Sequence, residues 1–160
     1  MTESTDPNRS ILIVANETLA SPSLAKAVAD RIAAGACEFH VVVPATPIEH
    51  RLTWDEDEAV SAARERLNAV LERLHRLGVD ATGEVGNRDP VTAVRDAMLG
   101  RRVHEVILST LPEARSRWLR QDVPSRMRGA VEVPVTVVTA PRELVDATRE
   151  VDASTAPPAS

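Results

Sequence analysis

Five short apolar runs, separated by longer segments of helical period, constrain what this chain can fold into. The runs are residues 11–15 (ILIVA), 39–43 (FHVVV), 79–85 (VDATGEV, the weakest), 105–109 (EVILS) and 133–138 (VPVTVV). They are continuous rather than alternating, which suits strands buried on both faces of a parallel sheet.

Each intervening segment carries its own start signal. Ser21 followed by Pro22 gives a cap and a first-turn proline, after which Leu24, Val28 and Ile32 share one face of a helix. Thr53 to Glu56 form a capping box, and Val60, Ala63, Leu67, Val70, Leu74 and Leu77 step by three and four until Gly78. Asp89 and Pro90 open a third helix with Val91, Val94 and Met98 inward and Gly100 as its stop. A fourth is expected over 116–130, with Leu119, Val123 and Met127 in register and a break near Asp122 to Pro124. Strand and helix thus alternate from end to end. Right-handed crossovers then make an open parallel α/β sheet the natural architecture.

A length of 160 residues fits one domain. Residues 1–9 and 141–160 lack periodicity and read as flexible tails around a folded 10–140. No apolar run approaches the roughly 20 residues of a membrane helix, so no membrane partner is expected. Nor does the N-terminus read as an export signal, which together with the single Cys37 points to the reducing cytoplasm. A net charge of -5 argues against a general nucleic-acid binder, whose affinity comes from neutralising phosphates. Lys26, the one lysine among 19 basic residues, has no glycine loop before it, so a P-loop is absent.

In open α/β sheets, ligands bind beyond the carboxyl ends of the strands where strand order reverses. With the first strand beside the fourth, that crevice is lined by residues 15–18 and 109–117. A phosphoacceptor receiver needs acids after strand one, an Asp after strand three and a Lys after strand five. The chain has Asn16-Glu17, Gly86-Asn87 and Thr139-Ala140 there. A dinucleotide fold needs G-x-G-x-x-G after strand one, and residues 16–21 hold no glycine. His40, His50, His75 and His104 share no metal-ligand spacing, and Asp55 to Glu58 read as the acidic first turn of a helix, so no metal is expected. Cys37 has no neighbouring base in sequence to activate it, and Ser109 lacks a nucleophile-elbow context, so no catalytic set is assigned.

Four segments together resemble the universal stress protein family: ILIVANET, VVVPATP, GEVGNRDPVTAV and EVILST with VPVTVV. The resemblance implies a five-stranded parallel sheet of order 3-2-1-4-5 and a homodimer through the edge strand at 133–138. The family's ATP binders carry a G-x2-G-x9-G-[S/T] loop after strand four. At that spacing this chain has Ser109, Pro112, Asp122 and Val123, and the acid found after strand one is replaced by Asn16. Pro112 offers no N–H to a phosphate, and Asp122 would set a carboxylate beside it. The expectation is a non-enzymatic regulatory or interaction domain that does not bind ATP in the family's usual mode.

The replacement segment holds Arg115, Arg117, Arg120, Arg126 and Arg128 around Trp118. Guanidinium groups bind phosphate or carboxylate bidentately. One reading makes Asn16, Ser109, Thr110, Arg115, Ser116 and Arg117 a site for an anionic small molecule. In a variant of it, the ligand is ATP or another adenine nucleotide, with slow hydrolysis left open. The other reading makes Trp118 and Leu119 packing anchors, the arginines a solvated face, and Ser116 and Asp122 helix caps.

Overall fold

A computed structural model describes residues 9–15, 21–46, 56–111 and 116–140, the side chain of Arg117 excepted. Residues 1–8 and 141–160 of the expected tails, the capping-box residues Thr53 to Asp55, and Asn16 and Arg115 lie outside the described residues; Arg9, read as part of the tail, instead opens the first strand, where it pairs with Cys37. The elements run β1 (Arg9–Ala15), α1 (Pro22–Ala34), β2 (Cys37–Pro44), α2 (Glu56–Arg76), β3 (Ala81–Gly86), α3 (Pro90–Met98), β4 (Glu105–Thr110), α4 (Arg117–Arg120), α5 (Val123–Ala130) and β5 (Val135–Thr139). All four strand pairings are parallel and the sheet order is β3-β2-β1-β4-β5.

Alternate residues of the central strands serve opposite faces, as strand geometry requires. Ile11, Ile13, Phe39, Val41, Val43 and Ile107 pack with Leu24, Val28, Leu67, Val70 and Leu74 of α1 and α2. Leu12, Val14, Val42, Val106 and Leu108 pack with Val91 and Val94 of α3, Trp118 of α4, and Val123 and Met127 of α5. Two cores share one sheet, which is why residues 11–15 of β1 and 106–108 of β4 are apolar without interruption.

The differences from the sequence reading are local. The third strand begins at Ala81 rather than Val79, because Val79 closes α2 through a hydrogen bond from its N–H to the Leu74 carbonyl. The fifth begins at Val135, after Pro134. The fourth helix is two pieces, broken where Asp122 takes a left-handed backbone (φ 55°). Asp122 stands at the α5 N-cap position but its side chain makes no capping hydrogen bond. Ile32 and Leu77, expected inward, are exposed: Ile32 lies in the last turn of α1 and Leu77 just past the end of α2. Ser21 and Asp89 do cap α1 and α3, accepting from the N–H groups of Ser23 and Thr92. Gly78 (φ 81°) and Gly100 (φ 70°) supply the left-handed turns after α2 and α3.

Candidate functional site

The crossover after β1 goes to one face of the sheet and the crossover after β4 to the other, so the gap between their carboxyl ends is the topological switch point. Ala15 and Ser109 are register partners there. Of the residues singled out by sequence, Ser109, Thr110 and Ser116 are brought to this end of the sheet. Arg117 opens α4 beside them, Asn16 and Arg115 lie outside the described residues, and the Arg117 side chain is not described.

The three hydroxyls are deeply buried, at 1%, 2% and 3% exposure for Ser109, Thr110 and Ser116. Each is already engaged. Ser116 Oγ accepts from the Leu119 N–H at 3.1 Å and so caps α4. Thr110 Oγ1 lies 3.5 Å from Thr139 Oγ1, and the Thr110 carbonyl accepts from the Ala140 N–H at 2.9 Å, tying the end of β4 to the end of β5. Ser109 also has a partner. Trp118 packs against Leu108, Val14, Val123 and Met127, so it anchors α4 on the sheet. Arg126 donates from Nη2 to Asp89 Oδ1 at 3.1 Å, and Arg120 and Arg128 are exposed. Thr46, just past β2, has a buried Oγ1 with no partner among the described residues.

Two polar clusters were not foreseen. The buried carboxylate of Glu105 accepts two hydrogen bonds from Arg31 and one from Thr136 Oγ1 at 2.7 Å, with Arg9 Nη2 at 3.9 Å. Hydrogen bonding to Arg31 outweighs burial and holds the Glu105 carboxyl below its usual range. The same pairing raises Arg31. Glu105 opens an otherwise apolar run, which is the signal that a partner exists, but Arg31 is 74 positions away. His40, likewise a polar residue in an apolar run, is buried with Nδ1 2.7 Å from Thr82 Oγ1. Its Nε2 approaches Glu84 Oε1 to 3.3 Å without hydrogen-bond geometry. Burial and the Arg101 charge together lower its pKa, against the pull of Glu84. The Cys37 thiol donates to the carbonyl of Arg31 at 3.4 Å and is pushed up by burial, so it is a poor nucleophile. Among the described residues no three His, Cys, Asp or Glu side chains converge as metal ligands, and no helix is long and apolar enough to cross a membrane.

The sheet order and helix placement define an open, doubly wound α/β domain of the Rossmann-like type. In its fold the chain is similar to a crystal structure of a protein from the universal stress protein family of Burkholderia pseudomallei, with a TM-score of 0.58. The two sequences are 18% identical, and the match covers 83% of this chain and 97% of that one. No family model matches the chain, and no curated protein matches it either. The likeness is one of fold.

Proposed function

We propose that the chain is a universal-stress-like regulatory and interaction domain of the cytoplasm that does not hold ATP through a glycine loop. One observation carries this reading. The three hydroxyls expected to meet a ligand at the switch point are buried, and two are spent: Ser116 on capping α4 and Thr110 on joining β4 to β5. A phosphate arriving there would have to break bonds that hold the fold. In this reading an anionic small molecule would bind at the arginine-rich segment 115–128.

The working unit in this proposal is a homodimer through β5. Within the described residues β5 pairs only with β4, and an edge strand left open is a template for further pairing.

Thermal unfolding against ATP, ADP, AMP and cyclic nucleotides, with and without Mg²⁺, tests the reading. The expected result is no saturable shift with any of them. A ligand at 100 times its Kd adds about 2.7 kcal/mol to folding stability. A saturable shift of that order would replace this reading with adenine-nucleotide binding through Arg115 and Arg117, and loss of the shift in Arg115→Ala or Arg117→Ala would locate it.

A further inference from the structure

At the opposite pole, the amino-terminal ends of β2 and β3 border a depression of about 720 Å³. Buried Phe39 and Val79 lie at its base, and Ile32, Cys37 and Arg101 also line it. The βαβ topology delivers the last turns of α1, α2 and α3 to this pole. The large apolar side chains that stand exposed among the described residues are all here: Ile32 (46%) near the end of α1, Leu77 (57%) just past α2 and Leu99 (79%) just past α3. Single exposed leucines are ordinary, but their confinement to one pole beside a concavity marks an interaction surface.

Charge narrows the partner. The side chains of Arg73 and Arg101 are exposed and make no hydrogen bond or ion pair among the described residues. Arg73 lies one turn before Leu77, and Arg101 two residues after Leu99. Of the nearby carboxylates, Glu72 pairs with Arg76 and Glu38 has a partner, while Asp80, which lines the depression 3.5 Å from His75, has no cation paired with it at neutral pH among the described residues. Arg95 and Asp96 are sequence neighbours whose charges offset each other. In a chain of net charge -5, this apolar pole carries two guanidinium groups outside any ion pair against the one carboxylate of Asp80.

We propose that this pole docks an acidic peptide segment of a partner protein, one that carries leucine-sized side chains. The apolar side chains enter the depression beside Ile32 and cover Leu77, next in sequence to its lining residue Gly78, and the flanking carboxylates meet Arg73 and Arg101, whose planar guanidinium groups suit bidentate pairing. An anionic membrane fits less well. Surface attachment of that kind calls for clusters of about 4–8 basic residues, and a concavity cannot lie flat on a bilayer. The proposal concerns the other end of the sheet from the switch point, so it stands or falls independently of how nucleotides behave.

The test is fluorescence anisotropy of a labelled peptide with glutamates and leucines in amphipathic helical spacing, titrated with the full chain. Saturable binding is expected, weakened by added salt and by about tenfold in Leu77→Ser and in Arg101→Glu. Arg64→Glu, nearer the other end of α2, should leave it unchanged. Leu77 and Arg101 are exposed, so both variants should keep the wild-type circular dichroism spectrum. Absence of binding at millimolar protein, wild-type affinity in both pole variants, or equal affinity for an all-glutamate peptide would overturn the proposal. So would tighter binding to phosphatidylserine vesicles than to the peptide.

Discussion

Arg31 on α1 grips Glu105 at the start of β4 with two hydrogen bonds, Nε to Oε1 at 3.2 Å and Nη2 to Oε2 at 2.9 Å. Thr136 on β5 completes the set, so one buried carboxylate joins a helix and two strands. Removing one partner of such a pair leaves the other charge stranded, which costs more than the pair contributes when intact. Arg31→Met is expected to lower the unfolding free energy by about 3 kcal/mol in a urea titration, and Arg31→Met with Glu105→Leu should recover part of it. A double variant no more stable than Arg31→Met would show that packing rather than charge dominates there.

Stability should fall on acidification in two steps. The folded pKa of His40 is lowered by burial and by Arg101, so its contribution is full above the unfolded value near 6.5 and is lost as pH falls through the folded value. The Glu105 carboxyl is held down by Arg31. Asp89 is pushed up by burial but held down overall by hydrogen bonds from Thr92 and Arg126. Both carboxylates contribute fully above about pH 4.5 and lose that contribution below it. Urea midpoints measured from pH 8 to 3 should show both declines, and His40→Gln should remove the earlier one.

Gly86 ends β3 where α3 crosses closely. A Cβ there would sit 2.7 Å from the Cβ of Ala93 and 3.0 Å from Val42 Cγ1. Ala93 is fixed to the helix and cannot swing away, so Gly86→Ala should destabilise by about 1–3 kcal/mol. Gly78→Ala meets no atom within 4 Å and costs only its left-handed backbone, roughly 1 kcal/mol. Thermal melts of the two variants should rank in that order.

The β5 homodimer has a selective probe. Pro134 O accepts from Val106 N–H, and Ala140 N–H donates to Thr110 O, so even-numbered positions face β4 and the N–H of Val137 points outward. Val135 and Val137 also pack on the core beneath α5, so a charged residue at either would unsettle the fold as well as the interface. Val137→Pro removes an outward donor and spares the β4–β5 ladder. Sedimentation should show dimer for the native chain and monomer for this variant; a monomeric native chain would end the dimer proposal.

What the sequence made legible was whatever depends on short range. Runs such as ILIVA and caps such as Ser21 and Asp89 carry their information within a few residues, and the elements they imply are present. Ile32 and Leu77 keep helical spacing but not burial, because periodicity cannot say where the sheet stops beneath a helix. Ser109, Thr110 and Ser116 stand together at one end of the sheet, as the order of the elements implies. That Thr110 is taken by Thr139 and Ser116 by the α4 cap depends on chain segments meeting in space. The Arg31–Glu105 pair was invisible for the same reason.

The alternation of side chains along β1 and β4 bears on how the molecule comes apart. Ile11 and Ile13 belong to one core while Leu12 and Val14 belong to the other, and Ile107 is likewise flanked by Val106 and Leu108. Neither half can be peeled off without exposing strands that the other half needs, so a single all-or-none melt is expected rather than two. The reverse journey is correspondingly slow to begin, since β1 must find β4 about ninety residues downstream before either core has a floor.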